Sequence, residues 1–168
     1  HKLMLNNMKE QAVIVNEYAT KELDKDSFRI LNTIEDEQHT IYQNMHRELN
    51  KIRQITNVRY LYTAKLNEQG EYIYIVDGLD EDAEDFRHVG MLIEEEIIPE
   101  LDYCLEGNTM ISDNYKNTEW GAVFITYYPV YDENGEILGA LGMEFDVDSL
   151  HVSYVKYGIY SAVLSLLI

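Results

Sequence analysis

The chain has 168 residues, 46% of them apolar, with 31 acids against 13 Lys and Arg and a formal net charge of −18. That length and apolar content are enough for one buried core and argue against a disordered chain. The charge disfavours nucleic acid and anionic membrane faces as partners, since both are held by clustered Lys and Arg; the single cysteine excludes an internal disulfide and a cysteine-based metal cluster.

From about residue 3 to 23, Met4, Met8, Ala12, Val15, Ala19 and Leu23 recur at intervals of three and four, one helical stripe. Such a helix, joined to an upstream membrane helix, would pair with its copy in a homodimer. The stripe keeps no strict heptad, so packing against its own domain is an equal reading. Asp24-Lys25-Asp26-Ser27 breaks the pattern. A second stripe starts near Ile34 and runs through Ile41, Met45, Leu49, Ile52 and Ile55, with Thr33 and Asp36 as a capping pair; it is expected to lie against a sheet.

Residues 58–64 and 71–77 read as strands joined across Asn67-Glu68-Gln69-Gly70. Period two puts Tyr60 and Tyr62 on one face, and Tyr72 and Tyr74 on one face of the neighbouring strand. Cross-strand packing and a phenol-lined pocket both fit that pattern. Residues 79–85 form a charge run expected to be solvated, and Arg87 is the only cation of the acidic stretch that follows. Met91 to about Leu105 is expected to be helical, with Gly107 as its stop and Cys104 as a small core residue. Two further β-rich runs within 120–146 flank Asp132-Glu133-Asn134-Gly135, a hairpin turn in which Gly135 supplies positive φ.

The chain starts at His1 rather than Met, and its last twelve residues, Tyr157 to Ile168, are uncharged. A membrane span needs roughly 20 apolar residues, so 155–168 is expected to be the start of a C-terminal transmembrane helix, or else a helix docked on the core. Residues 1–154 then form a single compact domain. Enzyme motifs are missing: there is no Gly-x-Ser-x-Gly, and His39, His46, His88 and His151 lack paired metal spacing. A calcium-loop start at Asp132 places Met143 where the closing Glu belongs. No catalytic residue, metal or cofactor is expected.

Trp120-Gly121 opening a strand, Tyr127-Tyr128-Pro129-Val130-Tyr131-Asp132 closing it, then Gly135, Gly139, Gly142 and Glu144, resemble the C-terminal hairpin of Cache domains. These are the PAS-like extracytoplasmic sensors of bacterial chemoreceptors, histidine kinases and cyclic-dinucleotide enzymes. Residues 60–78 are similar to the family's first hairpin, with Asp77 at its acidic end. His88-Val89-Gly90 stands where many members carry Pro-Gly, and Glu144 where Asp is common. The likeness runs from the N-terminal helix to Asp146.

The resemblance implies an α+β fold: a PAS-like antiparallel sheet with a long N-terminal helix, helices covering the sheet, and an insert after the second strand that closes a ligand site. It implies an extracytoplasmic sensor domain of a membrane-anchored receptor in signal transduction such as chemotaxis. That domain is not an enzyme; it binds an amino acid, amine or organic acid and signals to a cytoplasmic output domain, a kinase or a cyclic-dinucleotide enzyme. The candidate ligand residues are Tyr62, Tyr74, Asp77, Arg87, Trp120, Tyr127 and Glu144. Asp77 and Glu144 suit an ammonium, Arg87 a carboxylate and the aromatics a wall, so an amino acid fits the set best. The alternative is a ligand-free PAS-like dimerisation or interaction module. Asp77→Ala is expected to remove a ligand response and leave the fold largely intact.

Overall fold

The structure is a computed structural model and describes residues 2–113, 115–118 and 121–147. Trp120 and the stretch 155–168 lie outside the described residues.

The N-terminal stripe forms α1 (Lys2–Lys21), and its side chains Met8, Ala12, Val15 and Ala19 are all buried. Asp24, expected as a plain break, instead caps a short helix, α2 (Lys25–Ile30), by accepting the Ser27 N–H at 2.7 Å. Six residues are too few to show helical periodicity, so only the cap marks it. The second stripe divides into a 3₁₀ turn at Ile34–Gln38 and then α3 (Thr40–Thr56). The capping pair closes the turn rather than the long helix. Tyr42, Met45 and Leu49 are buried along α3, whereas Ile41 and Ile55 are exposed.

The Asp36 carboxylate accepts the N–H groups of Asn32 at 2.8 Å and Thr33 at 2.9 Å. The Asn32 N–H bond, then the Thr33 one, hold its pKa below the ordinary range against the opposing effect of burial. Asp36→Ala is expected to cost about 1 kcal/mol at neutral pH. A depressed folded pKa means this stability is present above the unfolded value and lost as pH falls through the folded one. Thermal melts of variant and parent are therefore expected to differ at neutral pH and to converge as pH falls through the lowered pKa of Asp36.

Strands β1 (Tyr60–Leu66), β2 (Tyr72–Asp77), β3 (Met110–Ile111), β4 (Lys116–Thr118), β5 (Gly121–Tyr131) and β6 (Ile137–Asp146) form one antiparallel sheet. The order is β2-β1-β6-β5-β3, with β4 also pairing β5. The back of the sheet packs Leu61, Ile73, Ile75, Phe124, Leu141 and Phe145 in one core with α1, α2 and α3. The front packs Ala64, Tyr72, Tyr74, Tyr127 and Ala140 with a smaller cluster.

That cluster includes Leu101 and Cys104 from α4 (Ile98–Leu105), so the buried thiol is a core residue. The helix is shorter than the expected span from Met91. Residues before it run along β2 instead: the Tyr74 N–H donates to the Met91 carbonyl, and the Gly90 and Ile93 N–H groups to the Tyr74 and Tyr72 carbonyls. An edge strand has unpaired backbone groups, and satisfying them outweighs helix propensity here. A 3₁₀ turn (Glu95–Ile97) and Pro99 in the first turn then start α4. This places the whole insert over the front face.

One irregularity matters for the site. In the β1–β2 pair Ala64 opposes Tyr74 but Tyr62 opposes Asp77, so β2 holds one extra residue. Such a bulge turns the chain beyond it by one side-chain position. Val76 joins the back core, while Asp77 comes round to the front with Tyr62. The displaced Val76 N–H is taken up by the Thr63 hydroxyl at 2.9 Å.

Candidate functional site

A cavity of about 480 Å³ lies between the front of the sheet and the insert. Tyr62, Tyr74, Asp77, Arg87, Tyr127 and Glu144 all line it, six of the seven residues expected from the sequence. Trp120 lies outside the described residues. Sequence reasoning missed Tyr60, Asp85, Glu94, Glu96, Glu100 and Lys116, which also line it. Tyr60 shared the period-two signal with Tyr62; the acids of the insert had none, because a segment taken as helix gives no warning of which carboxylates turn inward.

The floor is aromatic. Tyr62 lies between two other phenols, its ring centroid 5.2 Å from Tyr74 and 6.3 Å from Tyr127, with its hydroxyl 2.9 Å from that of Tyr127. Gly142 makes room for this pair: a β-carbon there would lie 2.7 Å from the Tyr62 ring and 2.9 Å from the Tyr127 ring. Cross-strand packing and a tyrosine-lined cavity are thus realised by the same residues.

The wall is ionic. Arg87 donates to Glu94 at 2.9 Å and lies over the Tyr74 ring, and the Tyr74 hydroxyl donates to the same Glu94 at 2.6 Å. The Tyr60 hydroxyl donates to Asp85. Asp77 is only 3% exposed, and its carboxylate accepts the main-chain N–H groups of Leu79 at 3.0 Å and Arg87 at 2.8 Å. Burial raises its pKa above the ordinary range despite those two bonds. It therefore anchors the loop that delivers Arg87 while lining the cavity.

Glu144 is different. It is half-buried, pairs across β5 with Ile125, and its carboxylate has no hydrogen bond or ion pair among the described residues. Burial raises its pKa, opposed at longer range by Arg59 and Lys116. A raised folded pKa means the group favours the fold most when protonated, and that contribution is lost as pH rises through the folded pKa. Glu144→Gln is therefore expected to raise the melting temperature of the ligand-free chain at pH 7, an advantage that shrinks as the solution is acidified. Melts of both proteins across that range test the sign.

No protein-family model and no curated protein sequence matches the chain. Solved structures do. The ligand-binding domain of the Campylobacter jejuni chemoreceptor Tlp3, in complex with L-valine, is 16% identical over 89% of this chain, with a TM-score of 0.55. The Tlp3 sensory domain with isoleucine bound gives 18% identity and a TM-score of 0.52. The sensor domain of the Vibrio cholerae histidine kinase DctB gives 13% identity over 87% of this chain and a TM-score of 0.51. This chain spans 58% of the length of the valine-bound Tlp3 domain and 57% of the other two. Identities so low establish a shared fold, and the α+β arrangement expected from the sequence is that fold. Among the described residues no helix is long and apolar enough to cross a membrane.

Proposed function

We propose that this chain, which has the PAS-like Cache sensor fold, is an extracytoplasmic sensor domain that binds a small polar metabolite and signals across a membrane to a cytoplasmic output domain. The observation that carries the reading is the cavity itself. About 480 Å³ between sheet and insert, with a phenol floor and acidic and basic side chains lining its wall, has the size and mixed lining of a small-molecule site. An amino acid is the favoured ligand: Glu144 offers an acceptor for the ammonium, with Asp77 behind it, and Arg87 can share its guanidinium between Glu94 and a carboxylate. Tlp3, of like fold, is solved with valine and with isoleucine.

A homodimer through α1 belongs to the same reading. Leu3, Val13, Ile14 and Tyr18 of that helix are exposed, opposite its buried stripe, as expected of a helix with two packing faces. Binding would shift the population of insert arrangements by the ligand's differential affinity for them. A thermal-shift screen against amino acids, amines, organic acids and purines tests the sensor role. A ligand at one hundred times its dissociation constant stabilises by roughly 2.7 kcal/mol, a readily measured shift. A cooperative melt that no class moves would favour the ligand-free interaction module instead.

A further inference from the structure

The cavity's charge is unbalanced. Among the described residues, Asp77, Asp85, Glu94, Glu96, Glu100 and Glu144 line it against two cations, Arg87 and Lys116. Arg87 is already bonded to Glu94, and Lys116 is solvent-exposed. Of the acids, Asp77 is bonded by main-chain N–H groups, Asp85 by Tyr60, and Glu94 by Tyr74 and Arg87.

Glu96, Glu100 and Glu144 are left. Among the described residues no hydrogen bond or ion pair engages their carboxylates, and one oxygen of Glu100, Oε2, is buried without a partner. A buried carboxylate oxygen with nothing to accept is costly in an empty site and satisfied by a bound donor. Glu100, from the insert, and Glu144, from β6, line the same cavity as the Tyr62 and Tyr127 rings. Tyrosine faces beside them attract an ammonium through the ring quadrupole.

We propose that the site selects an aliphatic ligand carrying two ammonium groups and a net positive charge, a diamine or a dibasic amino acid, over a neutral zwitterion. One ammonium is taken by Glu144 over the Tyr62–Tyr127 floor, and the second by Glu100 and Glu96 of the insert. This rests on the sensor reading and narrows it. A ligand carboxylate has only the guanidinium that Arg87 shares with Glu94 to hold it, and the remaining acids repel it, so a second ammonium adds more than a carboxylate does.

The test is calorimetric titration of the full chain with 1,5-diaminopentane, L-lysine and L-valine, at low and raised salt. The diammonium compounds are expected to bind at least about tenfold more tightly than L-valine, and the difference is expected to narrow as salt screens it. Glu144→Gln and Glu100→Gln, each checked for a cooperative melt, are expected to weaken 1,5-diaminopentane by about tenfold or more and L-valine little. The two variants guard against one of them failing to fold. L-valine binding as tightly as L-lysine would overturn the charge selection and leave the sensor reading standing. Silence from all three, with a response to a neutral or acidic compound elsewhere in the wider screen, would do the same. Silence from every class would overturn both.

Discussion

Gly139→Ala is expected to cost about 3 kcal/mol and to lower the melting temperature by about 6–12 °C at this size. Gly139 lies on β6 next to β1, and a β-carbon built there falls on the Ala64 carbonyl oxygen. It would also lie 3.1 Å from both the Lys65 β-carbon and the Phe28 ring. The Ala64 oxygen is backbone, so it cannot swing aside; it moves only if β1 and β6 part. Those are the strands that carry Tyr62 and Glu144, so the cavity floor opens with them. Gly70→Ala is the control. Its left-handed φ of 79° makes alanine strained, but nothing lies within 4 Å of the new β-carbon, and the cost is about 1–2 kcal/mol. A Gly139 variant that melts no lower than the Gly70 variant would sink the packing account.

Asp77→Ala is the second large effect, and it corrects the expectation that this change would spare the fold. The substitution strips two main-chain N–H groups, those of Leu79 and Arg87, of their acceptor at a site 3% exposed. Each unsatisfied buried donor costs roughly 1–3 kcal/mol. Part of that is returned because a desolvated charge disappears, so the net expectation is about 2–4 kcal/mol, a fall of roughly 4–16 °C. Asp77→Asn keeps one accepting oxygen and should lose less than half as much. Loss of ligand response in the alanine variant would therefore not identify a ligand contact, since Arg87 loses its anchor too. Retained binding in the asparagine variant would assign Asp77 to scaffolding alone. Equal melting temperatures for the parent and alanine proteins would show that those two hydrogen bonds contribute nothing.

What could be seen in the sequence depended on how local its cause was. The α1 stripe from Met8 to Ala19, the two hairpins and the alternating tyrosines follow from periodicity and turn chemistry, which a few neighbouring residues determine. The short α2 was misjudged because six residues show no periodicity and only the local Asp24 cap marks it, and the shortened α4 because a distant partner, the open edge of β2, decides it. The site divides in the same way. Tyr62, Tyr74, Tyr127 and Glu144 lie on strands whose facing can be counted residue by residue. Glu94, Glu96 and Glu100 turn inward only because the insert docks on β2, and no spacing in the chain announces it.

The bulge in β2 makes the chemistry of this wall a matter of counting as well as identity. Were the same residues paired without the bulge, Val76 would oppose Tyr62 and the Asp77 carboxylate would face the helices. Whether the extra residue is bulged therefore decides whether an acid or a hydrocarbon faces the cavity, without substituting a single side chain. A strand can thus carry an inserted residue, where ordinarily only loops tolerate one, and still present its acid to the cavity, so long as a hydroxyl like that of Thr63 is at hand to receive the orphaned amide.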